Sequence, residues 1–468
     1  MSLRNYCDLF EKSWDPEFLQ TRKVVDLKLL IDLNEELNAD ISNLRYFTMN
    51  SWDSAPLSLV ELLEHFCQDT SLEDVKLGKS SAGSRRVIWL DDRATSDLDE
   101  IGEGNTRQYE NPLTATGLFW ALAEPRFNHG NLSDAARRLI YVVDLDPACI
   151  HALAATVHCH QAPALRNAIY KHLAFQSSIE VSIPSAGFLN FQLELHIPLF
   201  LLRSSRPPES GIKVNSKPRR QWTDLSFLNI DTPKWQLQMP GEVWGMYEVE
   251  ISYVVTGSDD SRWIGYAFVD TGLDDLLTES SEDALSFDWV AAGEIDAKHP
   301  LWRPRDHWVR VFDIRIEQMK GHPSTLSRRP GITKDRTTEL KEAFDWALQT
   351  LNLLHRLDDV LSPSLKAWRS FNSAGGDIGY FHDPGVDRAI KPISVKARDR
   401  SLYNINAKFQ QLEQYQDKIA VLSRSCLDYR ETDRSLCQIL GEEEDAIPKR
   451  LGQKLKWTYR RRTETSVE

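Results

Sequence analysis

Two stretches near the C-terminus restrict the possible folds of this chain more than any other feature. From about Arg336 to Asn372, apolar residues recur at helical spacing: Leu340, Phe344, Ala347, Leu351, Leu354, Leu361, Leu365 and Trp368. A second stretch, Asp399 to Tyr429, carries Leu402, Ile405, Phe409, Leu412, Ile419, Leu422 and Cys426. Steps alternating between three and four residues draw one apolar stripe on each helix, which predicts an antiparallel hairpin or stalk. Pro363 lacks a backbone donor and Ser362 is placed to cap a new helix, so a kink or break is expected there.

A chain of 468 residues exceeds the size at which one core stops growing, so more than one domain is expected. The pattern divides into an N-terminal helical region (1–80), a mixed α/β domain (81–300), a helical stalk (301–440) and a basic tail (441–468). The predicted class is α+β. With 41% apolar residues and 14 Trp, a large core is within reach. The net charge of -13 argues against nucleic acid as a partner. Six cysteines without a CxxC pair read as reduced, buried thiols, and a cytoplasmic location is expected. No window approaches the roughly 18 consecutive apolar residues that span a bilayer, so a soluble protein is expected.

Along the chain, Val24–Leu37 and Ser58–Phe66 show helical spacing and read as peripheral helices. Arg86–Leu90 is a short apolar strand ending in the acidic loop DDRATSDLDEIGEGN, and Arg138–Val143 is a second, buried strand. Asp146 as N-cap and Pro147 at the first helical position start a helix that is expected to run through His158 to Phe175. Ile179–Ile183 and Gly187–Leu202 follow as strands, the latter alternating over its first half. Val243–Thr256 and Arg262–Val269 form a hairpin across Gly-Ser-Asp-Asp-Ser. Asp306–Lys320 reads as a helix leading into the stalk.

The segments RRLIYVVDLDPACIHALAATVHCHQAPALRNAIYKHLAF, IPSAGFLNFQLELHIPLFLLR and VVTGSDDSRWIGYAFVDT carry a resemblance. They resemble a large family of filamentous-fungal proteins whose longer members end in paired membrane helices of the CorA magnesium-transporter type. The likeness covers roughly Leu118 to Gly452, and it implies a cytosolic α/β domain feeding long stalk helices. After GEEEDAIPKRLGQKLKW, where family members continue into the membrane, this chain turns to TYRRRTETSVE. The Gly-Met-Asn signature of the CorA pore is also missing, and Gly245-Met246-Tyr247 sits inside a predicted strand. Ion transport by this chain alone is therefore not expected.

Candidate sites compete with plainer readings. Asp144 and Asp146 form a DxD after a buried strand, a pattern suited to a divalent cation such as Mg²⁺, yet Asp146 already serves as a helix cap. Cys149, His151, His158, Cys159 and His160 match no closed zinc spacing, although His151 and His158 share a face if the helix is continuous. Asp358 and Asp359 resemble part of an aspartate-rich metal motif, but Asp358 also falls on the stripe, where it would set register. The acidic run Asp270, Asp274, Asp275, Glu279, Glu282 and Asp283 reads as a solvated loop with weak Mg²⁺ affinity as its alternative.

The tail carries Lys449, Arg450, Lys454, Lys456, Arg460, Arg461 and Arg462 around Trp457, a composition suited to weak contact with an anionic membrane. The stalk interface is expected at Phe344, Leu351, Leu354, Leu361, Leu365, Trp368, Leu402, Phe409, Leu412 and Ile419. The reading that follows is a non-catalytic assembly or regulatory protein without a cofactor, working through protein partners or self-association along the stalk. Its competitors are an enzyme or accessory factor of fungal specialised metabolism with a metal at Asp144 and Asp146, and a peripheral membrane protein held by its tail.

Overall fold

The computed structural model describes Trp14, Phe18 and residues 43–48, 57–94, 105–158, 160–183, 190–205, 220–228, 242–270, 287–297, 299–318, 336–382, 395–428 and 431. The expected helix at 24–37, the acidic run beyond Asp270 and the basic tail lie outside them.

In chain order, the first helices are α1 (Asn43–Thr48), α2 (Leu57–Cys67), α3 (Leu72–Leu77) and α4 (Ser81–Ser84). Strands β1 (Ile88–Ala94) and β2 (Asn105–Thr106) precede α5 (Ala115–Ala123), β3 (Arg137–Val143), α6 (Pro147–Thr156) and α7 (Ala162–Leu173). Then come β4 (Ser178–Ser182), β5 (Phe191–Ser205), β6 (Trp222–Asp224), β7 (Val243–Gly257) and β8 (Trp263–Val269). Three helices follow: α8 (Pro304–Gln318), α9 (Arg336–Phe371) and α10 (395–428). The class is α+β, as expected.

The strands form one sheet in the order β2-β1-β3-β8-β7-β5-β4, with β6 alongside β7. Every pairing is antiparallel except β3 with β8. Strand side chains point alternately to the two faces, and here both faces are covered. On β3, Leu139, Tyr141 and Val143 enter one core while Ile140 and Val142 enter the other. The first core also takes Trp308 and Phe312 of α8, Leu365 and Trp368 of α9, and Leu402 and Phe409 of α10. The second takes Leu59 and Leu63 of α2, Val75 of α3, and buried residues of α5, α6 and α7. The described helices within 1–80 thus share a core with the sheet rather than sitting at its periphery.

Three local expectations are corrected. Strand β1 runs on into the supposed acidic loop, because Asp92 stands opposite Arg138 on β3 and is paired with it at 2.6 Å, entirely buried. Arg138 holds the Asp92 carboxyl below its usual range in spite of burial, so the charge is tolerated inside. The helix starting at Pro147 stops at Thr156, Val157 turns extended, and α7 begins afresh with a proline in its first turn. His158 therefore lies beyond the helix that carries His151. Finally, α9 passes through Pro363 without a break. Ser362 caps nothing; its hydroxyl donates to the Asp358 carboxylate one turn back, at 3.1 Å.

Candidate functional site

The two C-terminal stripes meet as an antiparallel pair. Trp368 stacks on Phe409 with ring centroids 4.6 Å apart, Arg369 reaches Glu413 at 2.8 Å, and Leu351 and Leu354 pack with Cys426. Asp358 accepts from Gln416 of α10 at 3.0 Å, and Gln416 donates to Ser362 at 2.6 Å, a polar link placed among apolar layers. Of the expected interface residues, Leu351, Leu354, Leu365, Trp368, Leu402 and Phe409 are buried. Phe344, Leu361, Leu412 and Ile419 are half-buried, whereas Leu422 from the second stripe is 50% exposed.

The hairpin is not a free stalk. Its proximal half, from Leu361 to Phe371 and from Leu402 to Leu412, closes over the sheet and joins the main core. Arg356 adds an ionic tie to Glu248 of β7 at 2.9 Å. Farther out, Leu351, Leu354 and Cys426 form a separate small cluster.

Asp144 and Asp146 lie where β3 and β8 end side by side. The Asp144 amide donates to the Val269 carbonyl, and Asp144 adopts φ 48°. As expected, Asp146 is the N-cap of α6: one carboxylate oxygen accepts from the Cys149 amide at 2.8 Å. Its other oxygen takes Arg85 at 2.7 Å, and the same guanidinium donates to the Asp144 and Val143 carbonyls. A guanidinium thus stands between the DxD carboxylates where a hard cation would go, an arrangement that fits capping better than Mg²⁺. Among the described residues no group of three or more His, Cys, Asp or Glu has the geometry to hold a metal ion.

Two buried clusters that the sequence pattern did not single out lie back to back on β7. On the core face, Tyr253 approaches His307 Nδ1 with its hydroxyl at 2.6 Å, and His307 Nε2 lies 2.8 Å from Asp288. Asp288 also takes Arg137 at 3.2 Å and the Val290 amide at 3.0 Å. Burial raises the Asp288 carboxyl, but His307, Arg137 and the Val290 amide together draw it down to about 2. Burial lowers His307 as well, more than Asp288 raises it, so the histidine is neutral and Arg137 supplies the countercharge.

On the opposite face, α7 covers a polar stretch of β4, β5 and β7. Glu180 of β4 faces Glu194 of β5, and Lys171 of α7 binds both carboxylates. Next along the face, His196 faces Ser252, which lies 2.8 Å from His196 Nδ1 and 2.9 Å from His172 Nδ1. His172 Nε2 lies 3.4 Å from Asp270, itself bound by Arg220 and the Glu250 amide. The alternation Gln192, Glu194, His196 was visible in the sequence but pointed to a solvated strand face. The one hint of a cover was Lys171-His172 ending a helix just before this hairpin.

No family model matches this chain, and no curated protein matches it. The fold and geometry above define a helix-covered mixed sheet bearing a helical hairpin. No helix among the described residues is long and apolar enough to cross a membrane.

Proposed function

We propose that this chain is a non-catalytic assembly or regulatory protein that self-associates through the distal half of its hairpin. The supporting observation is the placement of exposed apolar side chains. Of the ten large hydrophobic residues exposed among the described residues, five lie on the distal half of the hairpin: Trp346, Leu348, Tyr415, Val421 and Leu422. Such side chains on an otherwise amphipathic hairpin favour burial against another surface. A second copy fits because the same stretch carries both charge signs. Lys418 and Arg424 stand there beside Asp417, so a self-complementary contact between two copies can bring unlike charges together.

The resemblance to the cytosolic part of CorA-like proteins of filamentous fungi agrees with this reading, and a cytoplasmic setting is part of the proposal. Proteins of that type that do carry membrane helices are further candidates for the contact.

Deleting the hairpin is a poor test, since Leu365, Trp368, Leu402 and Phe409 belong to the main core. Surface substitutions separate folding from association. Light scattering on the full chain at rising concentration is expected to show dimers or larger species. Trp346→Glu combined with Leu422→Glu is expected to yield monomers with unchanged thermal unfolding. A wild-type chain that stays monomeric at high concentration, or a variant that associates equally well, overturns the proposal.

A further inference from the structure

In the polar layer beneath α7, one nitrogen of a buried histidine is unmatched. His196 is fully buried, its Nδ1 meets Ser252, and its Nε2 makes no hydrogen bond. Facing that nitrogen, 3.9 Å away, is a carboxylate oxygen of Glu194.

Donor counting orients the chain. A serine hydroxyl carries one proton, so between two Nδ1 atoms it donates to one and accepts from the other. His172 Nε2 faces the Asp270 carboxylate, which calls for N–H there and leaves the His172 Nδ1 lone pair to accept from Ser252. Ser252 then accepts from His196 Nδ1–H, and His196 Nε2 is left with a lone pair. Two acceptors, that lone pair and a Glu194 oxygen, face each other across the gap unless a proton is added.

We propose that Glu194, His196, Ser252, His172 and Asp270 form an oriented hydrogen-bond chain through the core, in which one proton taken up at Glu194 transfers that carboxyl from Lys171 of α7 to His196 on its own strand. The proton comes from water at the edge where Glu180 is 48% exposed. An O–H forms on Glu194 and donates to His196 Nε2. The Lys171–Glu194 ion pair is lost, while Lys171 keeps Glu180.

The charged and titratable groups around the pair are Lys171 and His172 from α7, Glu180 from β4, Arg220 ahead of β6, Glu250 from β7 and Asp270 after β8. Burial is the largest influence on Glu194 and raises its carboxyl to about 7, against the pull of Lys171. Burial, helped by Lys171 and His172, keeps His196 well below its ordinary value. The added proton therefore rests on the carboxyl and leaves the imidazole neutral. This device is independent of the hairpin reading.

A carboxyl raised in the folded state contributes stability that is fully present below its unfolded value of 4.5 and lost as pH rises through about 7. Unfolding equilibria of the full chain and of Glu194→Gln, measured from pH 4.5 to 8, test this. The ratio of wild-type to variant unfolding constants is expected to climb by up to about tenfold per pH unit between those two values, then level off. A ratio that does not change with pH overturns the proposal.

Should the variant fail to fold, ¹⁵N shifts of histidine rings in the wild-type chain decide the matter. Opposite neutral tautomers are expected, Nε2–H on His172 and Nδ1–H on His196, with the His196 Nε2 signal moving as Glu194 titrates. Identical tautomers, or a His196 Nε2 signal constant across that range, refute the proposal.

Discussion

Ser252 and Tyr253 are neighbours on β7, point to opposite faces of the sheet, and each holds a buried histidine in a different way. His307 is saturated: Tyr253 donates to one ring nitrogen, Asp288 accepts from the other, and Arg137 supplies the countercharge. His196 is satisfied at one nitrogen only, with Glu194 just beyond hydrogen-bond reach of the other. The His307 ring, matched at both nitrogens, sits among Trp263, Trp308 and the hairpin, although Arg137 Nε and Trp308 Nε1 in the same region make no hydrogen bond. The open one lies beneath a single helix, with Lys171 and Glu180 linking it to solvent. Burial alone does not make a histidine inert; the count of partners does.

The largest effect is expected at the saturated cluster. Asp288→Asn removes the carboxylate that serves both Arg137 and His307, and should cost about 3–5 kcal/mol in denaturant unfolding. The wild-type acid limb should change with it. A carboxyl lowered to about 2 contributes stability present above its unfolded value of 3.8 and lost as pH falls toward 2. That limb should flatten in Asp288→Asn. A loss below about 1 kcal/mol means that Arg137 and His307 are not held by this group, and the comparison breaks.

Ser252→Ala comes next, at about 1–3 kcal/mol, because it removes the hydroxyl that meets the Nδ1 atoms of two buried histidines. Equality with a neutral surface substitution contradicts the bridging role. Tyr253→Phe is the mildest, at about 0.5–1.5 kcal/mol, since His307 keeps Asp288. Should Tyr253→Phe prove more damaging than Ser252→Ala, the saturated cluster depends on its hydroxyl rather than on its ion pair.

Much of the fold was legible from local rules. The cap at Asp146, the turn at Gly257–Ser261, the β7–β8 pair and the two C-terminal stripes each depend on residues close together in sequence, where spacing and cap chemistry dominate. Asp259 completes that turn by accepting from the Ser261 and Arg262 amides, a wholly local arrangement. Where locality failed, a distant partner decided. Asp92 reads as a loop residue until Arg138 pairs with it across the sheet, and Pro363 reads as a helix breaker until packing on both sides carries α9 through.

Amino-acid order by itself determined where most of the helices and strands lie and that the last two helices would seek each other, because periodicity and capping act within a few residues. Only the tertiary structure decided that half of the hairpin would be absorbed into the core and that Glu194 and His196 would be covered rather than solvated. A polar strand face looks the same in sequence whether water or a helix lies over it. The difference is the low-dielectric cover supplied by residues 162–173, which turns an ordinary Glu-x-His into a pair sensitive to a single proton.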